Sequence, residues 1–160
     1  MTNGESPMQW DHDQPFCIER TVQNEHLDGL NHTNNVQYLH WLEQAAWSHS
    51  ESLGLGLVDY QRLGYAMVAS RHEIDYLAPS HLGDTLQIAT WIIERSRLTT
   101  VRTYQIVRPH DQRCIVRART IWACVDFSTG RAKRMPAEFY EIYTPFRELS
   151  NDQPSERRRD

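Results

Sequence analysis

The sequence predicts an α+β fold in which a curved antiparallel sheet wraps around one long central helix. Three observations carry this. A single helical segment, Asn35 to Leu53, runs without Pro or Gly. A run of segments rich in Val, Ile, Thr, Trp and Tyr follows it. The turns between those segments are too short for parallel neighbours, which need a crossover of about a dozen residues or more. One helix cannot cover both faces of a sheet of about five or six strands, so the sheet curls around it and keeps an edge for a partner chain.

In chain order, Phe16 to Val22 alternates apolar and polar residues and reads as a first strand. The stretch from Gln23 to Asn35 is rich in Asn, Asp, His and Gly, the chemistry of a loop entering a helix. Asn34 is a good N-cap, and Gly54 and Gly56 stop the helix. Val36, Leu39, Leu42, Ala45, Ala46 and Leu53 recur at helical spacing, while Tyr38, Trp41 and Trp47 widen the apolar surface, so this helix is expected to be enclosed. Strands are predicted over Tyr65 to Leu77, Thr85 to Glu94, Leu98 to Arg108 and Cys114 to Phe127. Turns fall at Pro79 to Asp84, Arg95 to Arg97, Pro109 to Gln112 and Ser128 to Gly130. An extended piece, Arg131 to Met135, leads to a helix from Pro136 to Glu148, with Pro145 marking an irregularity near its end.

The 160 residues carry 17 Lys and Arg against 21 Asp and Glu, and mean hydropathy is -0.67. That length is one domain, read here as 16–149 between tails 1–15 and 150–160 expected to be disordered. No stretch approaches the roughly 20 consecutive apolar residues of a membrane span. The first residues lack the basic and apolar regions of a secretory signal, which places the protein in the cytoplasm. The acidic balance argues against nucleic acid as a partner, the three arginines at 157–159 reading as a solvated terminus. Cys17, Cys114 and Cys124 form no CxxC pair and read as free thiols, with Cys114 and Cys124 facing the same way by strand parity. No histidine pair has metal-ligand spacing and no G-x-S-x-G elbow is present, so neither a metal nor a serine nucleophile is expected.

The segment Asp28-Gly-Leu-Asn-His-Thr-Asn-Asn-Val-Gln-Tyr38 resembles the D-x-x-G-H-x-N-N-x-x-Y motif of the hotdog-fold acyl-CoA thioesterases of the 4-hydroxybenzoyl-CoA thioesterase type. Glu43 on the helix, and Ile74-Asp-Tyr-Leu-Ala-Pro79 followed by Gly83-Asp84, are similar to later parts of the same pattern. One residue departs from it. Asn31 stands where many relatives carry Gly, and Asn is the residue that next best tolerates positive φ.

The resemblance implies hydrolysis of an acyl-CoA thioester, with no cofactor beyond the CoA that is part of the substrate. It assigns Asp28 as general base or nucleophile, whereas Asp-Gly by itself favours the reading as an Asx-type turn. It assigns the backbone N–H of Asn35, seven positions on, as oxyanion donor at the positive end of the helix dipole. His32 is a supporting acid, base or orienting group. Glu43 is the runner-up carboxylate, placed on the helix as in another branch of the family, or else a solvated or interface residue. Asn31, Asn34 and Tyr38 are candidate substrate contacts, each with a turn, cap or core role as its alternative. Arg95 and Arg97 at one turn, and Arg131, Lys133 and Arg134 after Gly130, are candidate cations for the CoA phosphates. An acyl pocket is expected between the helix and a neighbouring subunit, lined by Tyr38, Trp41 and Trp47, in a homodimer or homotetramer. The alternatives are an acyl carrier protein thioesterase and a non-catalytic acyl-CoA binding module.

Overall fold

The computed structural model describes residues 7–147. The chain runs β1 (Phe16–Thr21), α1 (Asn35–Ser52), α2 (Leu57–Leu63), β2 (Tyr65–Tyr76), β3 (Thr85–Arg95), β4 (Thr99–Arg108), β5 (Arg113–Asp126) and α3 (Ala137–Ile142), with single 3-10 turns at Asn24–His26 and Pro109–Asp111. The strands form one sheet in the order β1-β3-β4-β5-β2, and every neighbouring pair is antiparallel.

The alternation along the strands turns one face of the sheet toward α1. Leu86 and Ile88 of β3, Tyr104 and Ile106 of β4, and Val116 and Ala118 of β5 pack against Tyr38, Trp41, Leu42, Ala45 and Ala46 of α1. The buried stripe of α1 is therefore centred on its aromatic residues. Val36 and Leu53, expected on the apolar face, are 71% and 37% exposed because they lie at the two ends of the helix. Beyond the C-terminal end of α1 a second apolar cluster joins Leu55 and Tyr60 to Met67, Cys124, Phe139 and Tyr143. It is closed by α2 and α3.

Three features differ from the sequence reading. The segment between Gly56 and Gly64 forms α2, ended by Gly64 at φ 76, where the sequence reading placed no element. The pairing of β4 with β5 shifts register between Ile106↔Val116 and Val107↔Cys114, so Ile115 is an extra residue in a bulge. Parity is lost across it: Cys124 is buried in the second cluster, while Cys114 stands on the opposite face beside Gln105 and Arg117. Finally, residues 9–13, assigned to a disordered tail, lie against the sheet. The Asp11 carboxylate pairs with Arg117 at 2.7 Å, the Asp11 N–H donates to Gln105 Oε1 at 2.9 Å, and Trp91 Nε1–H donates to the Asp13 carbonyl at 2.9 Å. Residues 1–6, the 150–160 tail and the end of the predicted last helix at Glu148 lie outside the described residues. Within them, α3 stops at Ile142 ahead of Pro145.

Candidate active site

The loop between β1 and α1 closes on itself through an antiparallel bridge between Leu27 and Thr33, with the Asp28 N–H donating to the His32 carbonyl at 2.9 Å. Turning that tightly puts Asn31 at φ 57, the left-handed region in which Asn replaces the motif's Gly with little strain. Asp28 Oδ1 accepts from the backbone N–H groups of Leu30 at 2.8 Å and His32 at 3.3 Å. Oδ2 has no partner among the described residues. The turn role and a chemical role are thus compatible, because the turn occupies one carboxylate oxygen and leaves the other.

Directly after this loop, Asn34 caps α1 by accepting from Val36 N–H at 2.9 Å. Its own N–H donates to the His26 carbonyl at 2.8 Å, which fixes the loop to the helix start. Asn35 is exposed at the first helical position, its N–H unpaired among the described residues and its carbonyl accepting from Tyr76 Oη at 3.2 Å. The His32 ring meets the His81 ring edge-on at 5.1 Å, so the Asp28 loop touches the turn after β2.

Two buried residues that the sequence reading did not single out hold these segments together. Ser80, fully buried, shares a hydrogen bond of 2.7 Å with Thr33 Oγ1 and another of 2.7 Å with Tyr38 Oη. Its carbonyl accepts from the Thr33 N–H at 2.9 Å. Tyr38 is accordingly a core residue, 3% exposed, with its hydroxyl committed to Ser80. Trp41 is also in the core. Asp84 of the Gly83-Asp84 turn pairs with Arg108 at 3.0 Å, and Asp111 pairs with the same guanidinium at 2.7 Å. That guanidinium holds the Asp111 carboxyl down at about 2.

The remaining candidates separate. Glu43 is exposed on the side of α1 away from the sheet, next to Arg20, His40 and Trp47, and makes no hydrogen bond or ion pair among the described residues. The enclosure expected for it is absent in the single chain. Arg95 lies at the far end of β3, stacked 3.9 Å from the Tyr140 ring and bonded to the Tyr140 carbonyl and Thr144, while Arg97 lies 5.7 Å from the same ring. Lys133 pairs with Asp126 at 3.1 Å and sits 4.2 Å from the Tyr65 ring. Arg131 and Arg134 are exposed, and their side chains make no ion pair among the described residues. Apolar side chains border the helix start. Leu30, Val36, Tyr76, Leu77 and Leu82 are 75%, 71%, 47%, 44% and 54% exposed, a surface of the kind that binds an apolar ligand or a partner. No group of three or more His, Cys, Asp or Glu side chains among the described residues is arranged to hold a metal, and no helix there is long and apolar enough to cross a membrane.

Residues 22–142 match the model of the thioesterase-like superfamily. The chain is 26% identical over 123 residues to the long-chain acyl-CoA thioesterase FadM of Escherichia coli, covering 75% of this chain and 90% of that protein. It is 26% identical over 122 residues to the 1,4-dihydroxy-2-naphthoyl-CoA hydrolase of a Synechocystis species, covering 76% and 88%. The crystal structure of Slr0204, a 1,4-dihydroxy-2-naphthoyl-CoA thioesterase from Synechocystis, superposes with a TM-score of 0.75 at 24% identity over 88% of this chain and 100% of that one. With a family match across most of its length and that architecture, the chain belongs to the thioesterase-like superfamily, a thioester hydrolase with the hotdog fold.

Proposed function

We propose that this protein hydrolyses an acyl-CoA thioester to the free carboxylic acid and CoA, with Asp28 as the catalytic carboxylate. The observation that carries the reading is that one loop and the helix start it leads into hold two unused groups: the free Oδ2 of a carboxylate whose Oδ1 is pinned, and an unpaired N–H at the first turn of α1. The thioester carbonyl oxygen accepts from the Asn35 N–H, where the helix dipole favours the charge that develops on it. Asp28 then takes the proton of an attacking water, or attacks the carbonyl itself to give a mixed anhydride that water opens. In either case the C–S bond breaks, CoA leaves as thiolate, and the products are a carboxylate, CoA and a proton. His32 orients the loop and the bound carbonyl.

The site is completed by a second copy. β2 is an edge strand of 12 residues, and pairing it with the β2 of another copy in antiparallel fashion sets the Tyr65 end of one against the Tyr76 end of the other. The Tyr65 end neighbours the segment that carries Arg131 and Arg134, and the Tyr76 end neighbours Asn35. The CoA phosphates of a substrate at one copy's Asp28 then meet the arginines of the other. The exposed apolar side chains around the helix start receive the acyl group.

Free-thiol release from short, long, branched and aromatic acyl-CoAs, with carrier-protein thioesters as a further arm, tests this. Asp28→Asn keeps an acceptor for Leu30 and His32 N–H, so it stays folded and loses about 10²–10⁴-fold in kcat. Glu43→Gln retains turnover. A dead Glu43→Gln beside an active Asp28→Asn moves the chemistry to the helix, and cleavage of carrier-bound acyl groups alone moves the substrate class.

A further inference from the structure

Below the C-terminal half of α1 the sheet carries an arginine on its inner face. Arg102 of β4 is 3% exposed and no carboxylate pairs with it among the described residues. A guanidinium has five N–H donors. Nη1 donates to His49 Nδ1 at 2.7 Å and to Thr90 Oγ1 at 3.3 Å, which leaves the hydrogens of Nε and Nη2 without an acceptor among the described residues.

Those hydrogens border a cavity with about 20 Å³ of water-accessible space, also lined by Ser50, Tyr60, Thr100, Trp122 and Tyr143. That is room for a single small occupant. The other walls are mixed, with Ala46, Trp47 and Met67 apolar and the hydroxyls of Ser50, Tyr60, Thr100 and Tyr143 polar. Trp122 lines the cavity with its ring, while its Nε1–H is wholly enclosed and turned toward the Tyr104 hydroxyl. Tyr60 Oη, Tyr143 Oη and Ser50 Oγ form a chain with spacings of 2.5 and 3.1 Å. Two bonds among three hydroxyls leave one O–H over.

Among the described residues, nothing around the cavity supplies the missing negative charge. Burial pushes the Tyr60 and Tyr143 hydroxyls above their ordinary range, so both stay neutral. Burial and the neighbouring guanidinium hold His49 down at about 4, so it is a neutral acceptor at pH 7. A buried unpaired charge is costly, and an unpaired buried donor adds to that cost. Water would accept from the guanidinium but bring no charge to offset it. A monatomic anion brings charge and acceptor capacity without hydrogens.

We propose that this cavity is a binding site for one small monovalent anion of chloride size, held by Arg102 between the sheet and α1. The ion accepts from the Nε and Nη2 hydrogens of the Arg102 guanidinium and from the spare hydroxyl of the tyrosine chain. It links β4 and β5 to α1, α2 and the segment after α3, elements that close this end of the molecule. The site is separate from Asp28 and its occupancy does not depend on the thioesterase reading.

Crystals of the full chain grown in sodium bromide and measured at the bromine edge test it directly. The expected result is one buried anomalous peak beside Arg102. A map with no peak in the cavity overturns the proposal. In solution, the melting temperature of the wild type rises saturably with bromide at constant ionic strength balanced by gluconate, and the rise shrinks in Arg102→Lys, which keeps the charge and removes the Nε and Nη2 donors. Arg102→Gln abolishes it if that variant folds. A wild-type melting temperature that follows bromide and gluconate equally also overturns the proposal.

Discussion

His49 stands where two unfavourable terms for its charged form meet. Its ring stacks on Phe16 at 4.9 Å, half-buried, and its Nδ1 accepts from Arg102 at 2.7 Å, which puts the ring proton of the neutral form on Nε2. Burial first, and the Arg102 charge second, hold its pKa at about 4 against 6.5 in the unfolded chain. Between those values the unfolded state binds more protons than the folded one. Stability therefore falls as pH is lowered through this window and levels off once the folded state protonates as well. In His49→Gln the loss of unfolding free energy between pH 7 and pH 4 is smaller than in the wild type by about 2 kcal/mol. Urea titrations at the two pH values measure this, and parallel losses in both proteins would refute it. Residues of this kind were hardly legible in the sequence, because their state is set by strands far away. Asn31 and Asn34 were legible, since positive φ and an N-cap are local demands that the neighbouring residues announce. The facing of Cys114 was not: one extra residue at Ile115 reverses a parity argument.

At the scale of elements, the start of α1 is fixed by the turn after β2. Ser80 joins them, with its hydroxyl between Thr33 Oγ1 and Tyr38 Oη, each at 2.7 Å. Removing that hydroxyl in Ser80→Ala leaves Thr33 Oγ1 only the Ser80 carbonyl at 3.3 Å and Tyr38 Oη only the Ser80 N–H at 3.2 Å, and the expected cost is about 1 kcal/mol of unfolding free energy. Thr33 keeps its backbone bond to Ser80, so the fold survives, but the loop that carries Asp28 loosens and kcat falls more than KM rises. A denaturation midpoint equal to the wild type's would show that the clamp contributes nothing. The two segments that Ser80 ties are the two that carry the family motif. Their order was readable, whereas the bond between them spans 47 residues and could not be read. Glu43 shows the converse. Its apolar neighbours along the chain implied enclosure, but the helix turns Trp41, Leu42, Ala45 and Ala46 to the sheet and Glu43 away from it. The helix α2 was missed because seven residues between glycines are too few to show a period.

The topology of the whole molecule was open to inference because short turns admit only antiparallel neighbours, and the observed order β1-β3-β4-β5-β2 leaves two edges. What one chain does not contain is a closed site. Asp28 and Asn35 lie near the Tyr76 end of β2, and Arg131 and Arg134 near the Tyr65 end, separated by a strand of 12 residues that spans about 40 Å. Substrate of CoA length reaches both groups most directly if two β2 strands pair and bring opposite ends together. This makes a whole-molecule prediction that no single variant can test. Asp28→Asn homodimers lack the carboxylate in both sites, and Arg131→Ala/Arg134→Ala homodimers lack the phosphate cations in both. Mixed by co-refolding, the two chains form heterodimers in which one site unites the wild-type Asp28 of the second chain with the intact arginines of the first. Random pairing then restores about a quarter of wild-type turnover at low acyl-CoA concentration. If each site draws Asp28 and the arginines from the same chain, every site in the mixture is defective and activity stays at the average of the two parents. Sedimentation of the wild type at about twice the 18.8 kDa chain mass, or four times it for a pair of dimers, is the accompanying observation. A monomer with full activity would remove the second copy from the mechanism.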